Sequence, residues 1–207
     1  YLVPVTRQIP KQDGVAKATL ALMEKSSEHD LAAARLGLRT VIPEGTTFDI
    51  NIASQKARVD MSKEALACQS AEEEMLMVQA VASAMTTFST VDEVSFLFDG
   101  QARSKLTYGT DVSGTFTKDG LNMESVTTSS LTNADMIQLY FPSETGRMLI
   151  PVTRTVFSTA DLTTAMVELA KGPRDDSGLS RPLPKDCGLL GVTMKDGVVT
   201  VNFTKEF

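Results

Sequence analysis

The chain repeats itself, and the repeat constrains the fold more than any other feature. Leu2-Val3-Pro4-Val5-Thr6-Arg7 returns as Leu149-Ile150-Pro151-Val152-Thr153-Arg154, five of six residues identical. Gly37-Leu38 and Pro43 return 141 residues later as Gly178-Leu179 and Pro184. Both copies then run through two strand-like stretches and close on Lys-Glu, at Lys63-Glu64 and Lys205-Glu206. Solenoid repeats recur every ~20–50 residues, so a longer period seen twice means two copies of one small domain. A length of 207 residues accommodates two such domains.

Periodicity supplies the elements of each copy. In the first, Tyr1–Arg7 reads as a β-branched strand, edge-like because of Pro4. A helix is expected over 15–25, with Ala16, Leu20 and Met23 on one face, and then a polar connection over 26–34 carrying His29. Phe48–Ala53 and Lys56–Met61 read as a hairpin turned at Ser54-Gln55. Ser70-Ala71-Glu72-Glu73 is a capping-box pattern opening a helix over 72–88. Its stripe of Met75, Val78, Ala82 and Met85 is expected to face a sheet. Val94, Phe96 and Phe98 alternate as a strand stopped by Asp99-Gly100.

The second copy reads as a strand Met136–Phe141, a turn at Ser143–Gly146, and a strand Met148–Arg154. A helix over 160–171 follows, stopped by Gly172-Pro173, and then a second hairpin. Combining what each copy retains gives strand-strand-helix-strand-strand-helix-strand. The expected class is α+β, two tandem domains with helices on one face of a mixed sheet. The first domain is placed at 1–100 without its opening strand, the second at 136–207 without its final helix and strand. The Ser-, Thr- and Gly-rich residues 101–135 are expected to be a mostly extended connection with a turn at Lys118-Asp119-Gly120. A second copy ending at Phe207 would leave apolar sheet surface uncovered.

Composition narrows the function classes. A net charge of −6, with no basic block, argues against nucleic acid or an anionic membrane surface as partner. No apolar run approaches the ~18 residues of a membrane span. The chain opens inside a strand-like run, so it reads as the middle of a longer protein, with targeting information upstream. Cys68 and Cys187 sit at non-equivalent places and are read as free thiols in preference to the alternative, a disulfide.

The order PVTR, helix, Lys-Gly-Pro, Gly-Leu, Pro, then a hairpin ending V-[DN]-[MF]-[ST]-K-E resembles the GerM domain family. So do the 72–88 helix with Thr90–Val94 after it, and Gly120-Leu121-Asn122-Met123-Glu124 in the connection. The resemblance covers nearly the whole chain. One departure is Lys25-Ser26-Ser27 where the second copy has Lys171-Gly172-Pro173, which alters how a helix ends. The resemblance implies a lipoprotein of endospore-forming bacteria, held outside the mother-cell cytoplasm by a lipid anchor upstream of Tyr1. It implies a role in the complex that joins mother cell and forespore, and a layout similar to ring-building modules. Implied partners are other proteins of that complex and further copies of the chain in rings, with no nucleic acid.

A search for chemistry nominates no catalytic, cofactor-binding or metal residue. With His29 the sole histidine, a two-histidine zinc motif is excluded and any Ser-His-Asp triad would have to use it. Cys68 lies near a helix N-terminus but has no paired base. Glu72, Glu73 and Glu74 point in different directions around a helix and read as complements to its dipole. Asp60 and Asn202 hold equivalent hairpin positions, and the change from acid to amide reads as a slot binding a backbone group. Asn202-Phe203-Thr204 forms a glycosylation sequon inside a predicted strand. The expectation is therefore a non-enzymatic assembly protein of sporulation. The alternatives are an accessory factor or enzyme of peptidoglycan remodelling, which needs paired acids in a cleft, and a ligand-sensing lipoprotein domain, which needs an apolar pocket between the copies.

Overall fold

The computed structural model describes residues 1–117, 120–124 and 134–207. Two compact units result, residues 6–119 and residues 120–207 joined by Tyr1–Val5. The N-terminal segment therefore packs with the second unit, whereas sequence order assigns it to the first copy.

The first unit carries a four-stranded mixed sheet in the order β1 (Phe48–Ala53), β2 (Lys56–Met61), β3 (Glu93–Phe98), β4 (Phe116–Thr117). β1 and β2 form the expected hairpin, and Ser54 and Gln55 both take positive φ, as a type I′ turn requires. The β2–β3 pair is parallel, so the intervening chain must cross over. That crossover holds a 3-10 turn (Lys63–Ala67) and the long helix α3 (Ala71–Met85). Ala57, Val59 and Met61 alternate into the core opposite Val94, Phe96 and Phe98, all 4 % exposed or less.

Ser70 caps α3 as its pattern predicts. Its Oγ accepts the Glu73 N–H at 3.2 Å, and the Glu73 carboxylate accepts the Gln69 N–H at 3.0 Å. Three residues of the expected stripe, Val78, Ala82 and Met85, are buried; Met75 is 46 % exposed, and Glu74, Met77 and Val81 widen the inward face. A glutamate on a buried helix face is what apolar counting cannot anticipate.

The N-terminal part departs further from expectation. Tyr1–Arg7 carries no strand. Its repeat-mate Leu149–Val156 is a strand, paired antiparallel with Asp135–Pro142 although it carries a proline at the same position. Helix α1 is shorter than expected (Val15–Ala21), and the segment read as a polar connection is a helix, α2 (Ser27–Ala34). Ser26 caps it by accepting the His29 N–H at 3.2 Å, with Glu28 and Asp30 in the first turn. Lys-Ser-Ser thus starts a helix where Lys-Gly-Pro ends one. No residue of α2 is buried, so it lacks the apolar stripe that periodicity detects.

Part of the expected connection belongs to the first unit. Residues 104–112 fold back on themselves around a Lys105–Asp111 bridge, burying Leu106 and Val112, and Phe116 meets Phe96 edge-on at 5.2 Å. These apolar residues are too far apart for a helical or strand period, so only tertiary packing reveals them. Residues 118, 119 and 125–133 lie outside the described residues, and with them two residues of the expected Lys118–Gly120 turn.

In the second unit β5 (Asp135–Pro142) and β6 (Leu149–Val156) pair antiparallel across eight positions, with Ile137, Leu139, Phe141 and Val152 in a small core. Helix α4 (Leu162–Lys171) is capped by Asp161, whose carboxylate accepts the Thr164 N–H at 2.7 Å. It ends at Gly172, φ 82°. The closing hairpin, β7 (Leu189–Lys195) and β8 (Val198–Phe203), is a separate two-stranded sheet, not part of one sheet with β5–β6. The spacing between copies grows from 141 at Pro43/Pro184 to 142 at Val59/Val201. The extra residue is absorbed by a β-bulge between Leu189 and Gly191, where Leu190 is 65 % exposed.

Candidate interaction sites

The most elaborate polar constellation lies on the second unit, where Gly120–Glu124 runs beside β6. Met123 bridges Thr153 in parallel register. The Glu124 N–H donates to the Thr153 carbonyl at 2.9 Å, and the Thr153 N–H is shared between the carbonyls of Leu121 and Asn122. Thr153 Oγ1 also donates to Leu121 O at 2.7 Å. β6 therefore has β5 along its length on one side and, at its other edge, this short segment joined by one parallel bridge.

Two side chains fasten the segment. Asn122, at φ 51°, donates Nδ2–H to the carbonyls of Pro151 and Leu2 and accepts the Leu2 N–H on Oδ1, each at 2.7 Å. One carboxamide thus reads both backbone groups of Leu2 as a neighbouring strand would, which seats Tyr1–Val5 on this unit. Glu124 receives Arg154 as a fork, Nε to Oε2 at 2.7 Å and Nη2 to Oε1 at 3.0 Å.

Arg154 is also bound by the carboxylate and carbonyl of Glu168 and by the carbonyl of Gly172, each at 3.0 Å, and stacks over Phe141. Burial alone would disfavour the guanidinium charge, but the bonds to Glu124 and Glu168 outweigh it and hold its pKa above the ordinary value. Glu168 is half-buried; burial acts to raise its pKa, but the bonds to Lys171 and Arg154 outweigh it and hold the carboxyl below the usual range. The first copy cannot build this socket. Its Arg7 is exposed, and Leu22 stands where Lys25/Lys171 alignment places Glu168.

The first unit has its own buried acid. Glu74, 1 % exposed, accepts the N–H groups of Tyr108 at 2.8 Å and Thr110 at 3.3 Å, pinning the 104–112 turn to α3. It is a backbone clasp as well as a neighbour of the helix dipole. Asp60, read as a slot for a backbone group, accepts the Gly100 N–H at 3.0 Å, while Asn202 is exposed. His29 Nδ1 lies 3.0 Å from the Glu24 carbonyl, to which it donates in the tautomer protonated there. Cys68 is buried, and burial with Glu73 and Glu74 nearby pushes its thiol up to about 11, opposite to what activation needs. Among the described residues no group of three His, Cys, Asp or Glu is placed to hold a metal, and no helix is long and apolar enough to cross a membrane.

Two other surfaces are open. A groove of about 410 Å³ lies between the start of α1 and β1, lined by Val15, Phe48, Ile50 and Phe88 among others. On the closing hairpin, Leu190, Met194 and Val198 are each more than 60 % exposed. Val199, Val201 and Phe203 correspond to Ala57, Val59 and Met61, which the first unit buries completely.

The sporulation and spore germination family model called Germane matches residues 1–104 and again 138–207. The chain belongs to the Germane family. It is 30 % identical over its whole length to the spore germination protein GerM of Bacillus subtilis (strain 168), and spans 58 % of that relative. The solved tandem GerMN domains of the B. subtilis sporulation protein GerM superpose with a TM-score of 0.77 at 30 % identity. That match covers 95 % of this chain and 72 % of the other. The first GerMN domain alone gives 0.52 at 28 % identity, over 56 % of this chain and 88 % of that one. Membership in the Germane family, with these likenesses, supports a sporulation-related role and identifies the repeated α+β unit as a GerMN-type domain.

Sequence reasoning passed over Glu74, Asn122, Glu124 and Arg154 as individual residues. Arg154 was visible as the last residue of the repeated PVTR motif, and Asn122 and Glu124 as part of the family-like pattern in the connection. No signal separated Glu74 from its two acidic neighbours.

Proposed function

We propose that this Germane chain is a non-enzymatic assembly protein of sporulation, acting by protein–protein contact in the complex that spans the mother-cell and forespore envelopes. In this reading it sits outside the mother-cell cytoplasm, anchored by lipid carried upstream. One observation carries the proposal: the buried Glu74 and the half-buried Glu124, Arg154 and Glu168 are committed to holding segments in place. Glu74 clasps a turn, and Glu124, Arg154 and Glu168 lock a connection strand against β6 and α4. General acid–base chemistry needs a group whose proton is free to move towards substrate. The family membership and the sporulation role of the relatives support the same reading.

The test pairs two measurements. Photo-crosslinkers placed on the exposed β7–β8 hairpin in sporulating cells are expected to capture envelope proteins of the engulfing membrane. Incubating the purified chain with peptidoglycan sacculi is expected to release no soluble fragments. Fragment release at catalytic protein concentrations would overturn the proposal in favour of wall remodelling.

A further inference from the structure

We propose that the outer edge of β6 is a strand-docking site, and that a second copy of this chain can supply the docked strand by exchanging its own Gly120–Glu124 for the resident one. The polar bonds recorded for the segment run to the unit that holds it or to Leu2. They include the Thr153 backbone pairing, the Asn122 bond to Pro151 at 2.7 Å and the fork between Glu124 and Arg154. The segment is thus held as a peptide ligand is held in β-augmentation, main chain for affinity and one buried ion pair for selectivity.

The same bonds form whether the segment belongs to the same molecule or to another, which is the condition for exchange between copies. The two states differ chiefly in the freedom lost on association. The resident strand competes with an effective concentration on the order of millimolar, so exchange emerges when copies are crowded to that level. Selectivity comes from the socket. Without a carboxylate at the Glu124 position Arg154 keeps only Glu168 and two carbonyls, so a strand lacking that acid docks poorly. The inference deepens the assembly reading by naming a partner and rests on it only for its purpose.

A charge swap tests it. In E124R the strand is wrong for its own socket, and in R154E the socket is wrong for its own strand. Mixed, each variant offers the other a matched pair. Each alone is expected to sediment near 22.3 kDa, and an equimolar mixture to form a heterodimer of twice that mass. A mixture that stays monomeric at millimolar concentration, with both variants unfolding cooperatively, overturns the proposal.

Should either variant fail to fold, N122A provides the second measurement, because it loosens the resident strand while keeping the socket. A peptide of residues 119–125 is expected to shift the amide signals of Thr153 and Arg154 in N122A at least ten-fold more tightly than the same peptide with Gln for Glu124. Equal or absent shifts overturn the proposal. A failed exchange leaves other partner contacts standing, whereas release of wall fragments would sink the assembly reading and not the exchange.

Discussion

Replacing Glu74 by alanine is the sharpest probe of the first unit. The carboxylate is 1 % exposed and accepts two backbone N–H groups, Tyr108 at 2.8 Å and Thr110 at 3.3 Å. Hydrogen bonds to a charged group contribute ~1.5–3 kcal/mol each, and the longer of these two belongs at the low end. Water can reach the freed amides, since both lie in partly exposed residues, and this recovers part of the loss. Burying a carboxylate also has a standing cost that alanine removes. A net destabilisation of ~2–4 kcal/mol follows, or a fall in Tm of roughly 8–16 °C at about 4 °C per kcal/mol for a domain near this size. Thermal unfolding followed by circular dichroism measures the total. Hydrogen exchange at the Tyr108 and Thr110 amides locates it, and these should lose protection before the β2–β3 pair does. Glu74→Gln keeps one acceptor oxygen and is expected to fall between wild type and alanine. If Glu74→Ala costs less than ~0.5 kcal/mol and leaves those amides protected, the carboxylate does not clasp the turn and the argument fails.

Gly172→Ala places a Cβ 2.5 Å from Arg181 Nη1 at a φ of 82°, so backbone strain adds to displacement of a guanidinium that caps the α4 carbonyls. A loss of ~1–3 kcal/mol in the second unit, read by denaturant unfolding, is expected. Deleting Leu190 should be tolerated within ~1 kcal/mol, because it removes the bulge and leaves a register like that of β1 with β2; cross-strand nuclear Overhauser contacts in β7–β8 would report it. On acidification, Asp161 is depressed by the Thr164 hydrogen bonds, and Glu168 by Lys171 and Arg154 against burial. A depressed folded pKa contributes stability that is present above the unfolded value of ~4 and lost as pH falls through the folded one. The second unit should therefore weaken below about pH 4, and Asp161→Asn should flatten part of that slope in pH-dependent unfolding.

Sequence was most legible where the period of the apolar residues matched the period of the element. The hairpin Phe48–Met61 stands at its expected bounds because each strand alternates cleanly and Ser54-Gln55 tolerates positive φ. The α3 cap was equally legible, since Ser70 and Glu73 act through local bonds that need no tertiary partner. Failures share the opposite property. Tyr1–Arg7 has the composition of β6 and is not a strand, because a strand is made by its neighbour and composition does not supply one. α2 hid for lack of a buried face, and the 104–112 turn because Leu106 and Val112 join the first unit's core without forming a local apolar period.

That contrast explains why the repeat, the strongest sequence signal, gives the domain type and not the site. PVTR occurs twice with the same residues and two outcomes. Arg154 is drawn in by Glu124 on one side and Glu168 on the other, an arrangement in which removing one partner of a buried pair costs ~3–5 kcal/mol. Arg7 meets neither acid and stays at the surface. The guanidinium is the same in both copies, so the difference lies in residues outside the motif: an acid in the connection and another on a helix where the first copy has Leu22. The two copies diverge in structure at Asn122–Glu124, at the socket around Arg154, and on the closing hairpin, where Val199 is 43 % exposed and its counterpart Ala57 is fully buried.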